Sequence, residues 1–280
     1  MSRPLRFLHL TTFYPPYSFG GDGIHVQRLA HALADAGHVV HVVHCVDSYR
    51  LAHPREPRLG PTDHPRVFRH ALRSPARWLS PLSTHQTGRL HFKRAALRGI
   101  LAAERFDVIH FHNVSLLGPE VLTLAPAYPE VVKLYTAHEQ WLICPTHVLW
   151  KFGRRPCEAP QCLRCTLAAK RPPQLWRHTS YLEDCCRHVD CFLAPSRFSA
   201  AIHAERGFSR PMALLPNFAD GPSGESSHPA DRPHARPYVL FAGRLEVVKG
   251  VHTLIDAWKR IEDVDLLVAG TGSREAELRA

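Results

Sequence analysis

The chain has 280 residues, 45% hydrophobic and 21% charged, which excludes a disordered polypeptide and fits one or two packed domains. Its formal net charge of +10 with histidine neutral favours anionic partners, whether phosphate-bearing substrates, lipid headgroups or nucleic acid, and charge alone does not choose between them. The first apolar run, Phe7 to Thr12, is short, carries His9 and leads into Pro15 and Pro16, unlike a secretory signal. No apolar run reaches membrane-spanning length, so a cytoplasmic chain with reduced thiols is expected, with peripheral contact at the inner face of a membrane left open.

In chain order, Phe7 to Thr11 predicts a buried strand that ends in the turn-rich segment Tyr14 to Gly23. The stretch GIHVQRLAHALADAG puts Val26, Leu29, Ala30 and Leu33 on one helical face, and Gly37 stops it. The β-branched run His38 to Val43 completes a βαβ unit, and with it a parallel sheet is expected. From Arg50 to Pro81 the chain is basic and proline-rich, which predicts an irregular excursion. A helix over 89–105 is followed by strands over 107–112 and 131–136. A helix near Ser180 to His188 then precedes strands over 191–194 and 212–215.

Residues 219–237 are rich in Gly, Pro, Ser, His and Asp, as in a domain linker, which places a first domain at 1–218 and the start of a second at 238–280. The second domain reads as strand 238–242, loop 243–250, helix 251–259, strand 266–269 and loop 270–273. Roughly forty residues are too few for an independent doubly wound domain, so a truncated unit is expected.

Four places could carry chemistry. Gly20-Gly21-Asp22-Gly23 lies between a strand and a helix, where missing side chains let a ligand approach backbone N–H groups; a tight turn without ligand reads equally well. In Gly243 to Gly250, Arg244 and Lys249 stand near a helix N-terminus, an unfavourable place for cations unless an anion such as a diphosphate sits there. His138 and Glu139 follow a strand end, where open α/β sheets place ligands. Cys144, Cys157, Cys162 and Cys165, closed by a CxxC pair, could hold structural zinc or remain a bare reduced loop. Between Lys151 and Arg177, seven Lys or Arg residues interleave with Trp150, Phe152 and Trp176, as an anionic headgroup interface or a solvated basic face would require.

These pieces occur in a telling order: HLTTFYPPYSFGGDGIHVQRLAHALADAGHVVHVV, DVIHFHN, YTAHEQWLICP, CEAPQCLRC, FLAPSRFSA, LLPNFAD, FAGRLEVVKG and VDLLVAGTG. In that order they resemble the retaining glycosyltransferases of family 4, which have the two-domain GT-B fold. The resemblance implies an α/β chain with a Rossmann-like N-terminal acceptor-side domain and an incomplete second Rossmann-like domain that binds a nucleotide-sugar.

It implies that Gly20 and Gly21 lie near the donor phosphates, that His138 serves the active centre, and that Arg244 and Lys249 hold the diphosphate. Glu139 and Asn217 become acceptor-side or loop candidates, although PNFAD stands where the family more often has PNGVD. The family's later glutamate pair, spaced eight residues apart, has no counterpart after Gly272, so the 280-residue chain itself is expected not to turn over.

The implied reaction is transfer of a sugar with retention from a nucleoside-diphosphate sugar to a hydroxyl acceptor (glycan, lipid-linked or small), in cell-surface glycan or glycolipid synthesis. No catalytic metal cofactor and no nucleic-acid partner are expected. A non-catalytic accessory protein of the same ancestry is the alternative. A hydrolase is disfavoured because no GxSxG is present, and an RNA-binding module because no aromatic–basic platform is laid out.

Overall fold

A computed structural model describes residues 3–53, 55–57, 63–124, 130–219 and 234–279. The chain divides into two compact units, Met1–Phe218 and Ala219–Ala280. The linker expected over 219–237 falls largely on residues 220–233, outside the described residues.

The first unit begins with β1 (Arg6–Leu10), α1 (Gly21–Asp35), β2 (Val39–Cys45), α2 (Val46–Ala52), β3 (Val67–Leu72), α3 (Leu79–Thr87) and α4 (Arg94–Ala103). It continues through β4 (Val108–Phe111), β5 (Val132–Thr136), β6 (Trp150–Lys151), β7 (Arg155–Pro156), α5 (Cys162–Ala168), α6 (Tyr181–Cys186), β8 (Cys191–Ala194), α7 (Arg197–Glu205) and β9 (Met212–Leu214). Among the described residues the sheet runs β3-β2-β1-β4-β5-β8-β9, with every neighbouring pair parallel. β6 and β7 form a small antiparallel hairpin apart from it.

The sheet is buried on both faces, which is why β2 reads as nearly continuous Val with two histidines rather than as an alternation. Along the strands, side chains of period two divide the core. Val40 and Val42 pack with Val26, Ala30 and Ala34 of α1. Leu8, Leu10, Val43, Ile109 and Phe111 pack with Leu97 and Leu101 of α4 on the other side. Truncating one of these to Ala should cost about 2–5 kcal/mol. The buried stripe of α1 is Gly23, Val26, Ala30 and Ala34, so Leu29 and Leu33 sit at its margin rather than at its centre.

The expected irregular excursion needs correction. β3 lies inside it, paired with β2 from Val40↔Val67 to Cys45↔Leu72. As an edge strand it buries only Val67 and Leu72 fully, so its sequence, Val-Phe-Arg-His-Ala-Leu, lacks a clear alternation. Pro65 and Pro75 flank the strand without interrupting it. The helix expected over 89–105 is shorter, Arg94–Ala103. α7 is an added element, and the Ser196 side chain caps it by accepting a hydrogen bond from the Ser199 N–H at 3.0 Å.

The second unit contains β10 (Tyr238–Ala242), α8 (Val251–Trp258), β11 (Asp265–Ala269) and α9 (Glu275–Arg279). β10 and β11 pair in parallel from Tyr238↔Asp265 to Ala242↔Ala269. Their loops meet backbone to backbone: at Gly270, with φ of +151°, a Cβ would lie 1.8 Å from the Gly243 carbonyl oxygen, so only glycine fits. Among the described residues, no helix is long and apolar enough to cross a membrane.

Candidate active site

β1 and β4 are the strands between which the order of the first sheet reverses, and ligands of open α/β sheets bind beyond the carboxyl ends of strands at such a point. The residues there are histidines. His9 of β1 stands in register with His110 of β4, and His112 follows two positions on, on the same side of the strand. All three are buried.

They connect outward to the sequence-predicted His138. His9 Nδ1 lies 3.0 Å from His112 Nε2, and His112 Nδ1 lies 3.0 Å from His138 Nε2. The rings of His112 and His138 stack at 5.2 Å between centroids. His110 Nε2 pairs with Thr136 Oγ1 at 2.8 Å.

Burial disfavours the cationic forms: His9 is held down to about 3, with His25 adding repulsion, and His138 likewise to about 3. His110 and His112 are pushed well below the ordinary histidine value, first by burial, then by His9 on His110 and by His110 on His112. Every member of the chain is therefore a neutral imidazole, with one donor and one acceptor nitrogen.

His9 Nε2 is buried without a partner among the described residues. Burying a lone pair there costs less than burying an N–H. That choice makes His9 donate to His112 and His112 donate to His138, leaving His138 with an N–H at Nδ1. The arrangement presents an oriented hydrogen-bond donor at the strand end, not a positive charge.

His9, His110 and His112 also have ligand atoms within 4.8 Å of one another, the spacing of a metal trio. Both nitrogens of His112 are spent on its histidine neighbours, however, so the arrangement is a hydrogen-bonded relay.

The first glycine loop borders this relay. Gly20 caps α1 in extended conformation, and Gly21 opens the helix with nothing within 4 Å of a would-be Cβ. Gly23 is the constrained position: a Cβ would meet Ser18 Oγ at 2.3 Å and the Phe13 carbonyl oxygen at 3.0 Å. Asp22 accepts from Asn113 Nδ2 at 2.9 Å, and burial raises its pKa. His25, one turn on, brings its ring to 4.9 Å from that of His138.

Glu139 pairs with His147 Nδ1 at 2.8 Å, and its other oxygen is buried without a partner among the described residues. Asn217 is exposed, and it is the next residue, Phe218, whose ring reaches His25 at 5.3 Å.

In the second unit, Lys249 closes a short 3-10 turn (Val247–Lys249), and Gly250, with φ of +70°, leads into α8. Arg244 and Lys249 are exposed, and among the described residues neither forms an ion pair. Glu246, the carboxylate between them, is taken up by the Ser273 N–H at 3.0 Å and the Ser273 hydroxyl at 2.7 Å.

Cys144, Cys157, Cys162 and Cys165 line one small cavity of about 20 Å³, all with free thiols. The basic segment around them divides. Arg154, Arg155, Arg164, Lys170 and Arg171 are exposed. Lys151 and Trp176 are buried, and the Arg177 guanidinium lies 4.7 Å from the Trp176 ring and 5.0 Å from that of Trp141. Part of the expected basic face is thus turned inward.

His9, His25, His110, His112 and Asn113 were not among the residues singled out from sequence, and Asp22 and Gly23 entered only as part of the first glycine loop. A signal existed for three of them. A histidine inside an apolar strand, and a His-x-His pair ending one, places a polar ring where burial demands a partner. Nothing in the sequence pairs His9 with His112 across 103 positions.

Comparison with solved structures finds the same fold. Over 98% of the chain the structure resembles a lipopolysaccharide outer core galactosyltransferase, WaaB in its apo form, at 12% identity and a TM-score of 0.51. Over 95% it resembles the spinosyn rhamnosyltransferase SpnG complexed with thymidine diphosphate, at 15% identity and a TM-score of 0.46. The chain spans 63% of the length of the first and 65% of the second. Comparison with curated protein sequences gave no match. The fold is α/β of the GT-B type. The sequence model of Glycosyltransferase Family 4 matches residues 19–221, most of the chain, and the chain belongs to that family.

Proposed function

We propose that the protein transfers a sugar, with retention, from a nucleoside-diphosphate sugar to a hydroxyl acceptor, and that its first unit is the acceptor side and its second the donor side. The observation that carries this reading is the pair Arg244 and Lys249: two exposed cations in the loop between β10 and α8, Lys249 immediately before the Gly250 N-cap, with Glu246 between them in sequence engaged by Ser273. Cations at that helix end are unfavourable until an anion arrives, and a diphosphate supplies one. As the leaving group departs, the same groups stabilise its growing charge.

In the first unit, the neutral His138 donates a hydrogen bond to a hydroxyl of the transferred sugar and fixes its orientation. Gly21 leaves space for the phosphates to approach the start of α1, whereas beside Gly20 the Asp22 carboxylate stands 2.6 Å from a would-be Cβ, so Gly20 serves by its backbone alone. Asp22 and Glu139 are tied to Asn113 and His147, which supports a transfer without a protein nucleophile. Asn217 remains a loop candidate on the acceptor side. The exposed Arg154, Arg155, Arg164, Lys170 and Arg171, with Leu163 and Leu167 exposed on α5, favour a lipid-linked or otherwise anionic acceptor, peripheral membrane contact and a role in glycan or glycolipid synthesis.

The proposed diphosphate binding rests on two named residues of this chain, so binding is the test. Calorimetry with UDP, GDP and ADP should show weak binding of at least one, and Arg244→Ala/Lys249→Ala should abolish it. Equal binding by the double variant would sink the assignment. Diphosphate binding by a whole protein that transfers no sugar, across a panel of sugar-nucleotide donors and acceptors, would favour the accessory reading.

A further inference from the structure

The cysteine cavity has no step in that transfer, yet its surroundings are those of a buried negative charge. Cys144 lies in the loop after β5, Cys157 follows the β6–β7 hairpin, and Cys162 and Cys165 occupy the first turn of α5, three positions apart and so on one face. The fold brings these three segments around one cavity of about 20 Å³, room enough for an ion and too little for an organic ligand.

Several polar groups beside the cavity are donors or cations whose set of acceptors is incomplete. Lys151 is buried against the cavity, and its Nζ donates to the Ala159 carbonyl at 2.8 Å and lies 5.6 Å from the Phe152 ring centroid, with no carboxylate beside it among the described residues. The indole N–H of Trp150, another lining residue, is buried with no partner among the described residues. Arg177, outside the lining, feels the charge of Cys144 and Cys162 and also of Tyr135 and Glu139; its Nε donates to Gln174 Oε1 and its guanidinium lies over Trp141 and Trp176, while its Nη2 is buried and unpartnered among the described residues. Among the described residues, no carboxylate forms an ion pair with Lys151 or Arg177. The Phe152 N–H already donates to Cys165 Sγ at 3.3 Å, and Thr146 Oγ1 lies 3.3 Å from Cys144 Sγ.

Buried cations and orphan donors are costly unless an anion answers them. Four neutral thiols do not. Four thiolates around one divalent zinc do: the centre carries two negative charges, matching Lys151 and Arg177, and its sulfurs accept from Trp150, Phe152 and Thr146 as an outer shell.

We propose that Cys144, Cys157, Cys162 and Cys165 bind one structural zinc ion, neutralised by Lys151 and Arg177. Filling the site releases the thiol protons to solvent and draws the sulfurs inward, since among the described residues only the three histidines of the relay have ligand atoms all within 4.8 Å of one another. The metal also anchors the turn that carries Glu139. The Cys144 N–H donates to the Gln140 carbonyl, the His147 N–H to the Cys144 carbonyl and the Gln140 N–H to the His147 carbonyl, which closes the loop across the Glu139–His147 pair.

The test is elemental analysis of the protein purified under reducing, chelator-free conditions, where about one zinc per chain is expected. Cys162→Ser/Cys165→Ser should lose the metal, and Cys191→Ser, outside the cluster, should keep it. Because the double variant could misfold, the wild-type chain is also loaded with cobalt(II), which should give the ligand-field and sulfur charge-transfer bands of a tetrahedral tetrathiolate. Four freely titrating thiols without metal, a disulfide within the quartet, full metal retention by the double variant, or a cobalt spectrum lacking sulfur bands would each overturn the proposal. None of these readouts depends on sugar transfer or diphosphate binding.

Discussion

After β1 the chain turns through Gly20-Gly21-Asp22-Gly23 into α1, and after β10 it turns through Gly243 to Gly250 into α8. Both corners are strand, glycine loop and helix, yet their polar groups are held in opposite ways. The first is backed by imidazoles that are buried, neutral and hydrogen-bonded to one another. The second presents guanidinium and ammonium groups to solvent, with no ion pair among the described residues. Burial lets a polar group orient a partner but strips its charge; exposure keeps the charge but leaves the group unoriented until a ligand arrives. The sugar transfer proposed above would use both properties, one from each corner.

That contrast is testable through stability as well as binding. The largest effect is expected from His112→Ala, which removes the middle of the relay and leaves His9 and His138 without the partners they now share. Two stranded buried groups and a cavity should together cost about 3–5 kcal/mol. Denaturant unfolding reads this directly, and a loss below about 1 kcal/mol would mean the relay is not a unit.

Acidification comes next. The folded-state values of His9 and His138, about 3, lie below the ordinary 6.5, so the unfolded chain binds protons that the native chain refuses. The stability they contribute is present above about pH 6.5 and is lost as pH falls toward 3, at up to about 1.4 kcal/mol per unit for each group. Melting temperatures measured across that window should fall steadily, and the fall should be shallower in a His9→Gln variant that still folds. A flat profile would contradict the neutral relay.

Within the first loop, Gly23→Ala forces a methyl against Ser18 and the Phe13 carbonyl and should cost about 1–3 kcal/mol. Gly21→Ala enters open space and should change stability by about 0.5 kcal/mol or less, while crowding any anion at the helix start. Equal costs for the two would remove the distinction between them. The smallest effect belongs to the second corner: Arg244→Ala/Lys249→Ala should leave unfolding within about 0.5 kcal/mol of the parent, since exposed unpaired cations contribute little to folding. A larger loss would make those cations structural, against the proposed role.

The amino-acid sequence by itself determined the parallel α/β plan. β-branched runs alternating with glycine-stopped helices specify strand and helix locally, and β1, α1, β2, β4, β5 and β8 follow from that periodicity. It also marked His138, Arg244, Lys249 and the cysteines, because a strand end, a glycine loop and a CxxC spacing are short-range patterns. The edge strand β3 was not legible, since one neighbour and an exposed face impose no strict alternation on Val67 to Leu72. Only the tertiary structure set His9 opposite His110 and beside His112, chose Gly23 over Gly21 as the glycine that cannot change, and buried Lys151 against the cavity of the thiols. Those outcomes depend on which strands become neighbours and which cations lose their water. Burial and pairing of that kind are settled between residues far apart in the chain, where no local pattern reaches.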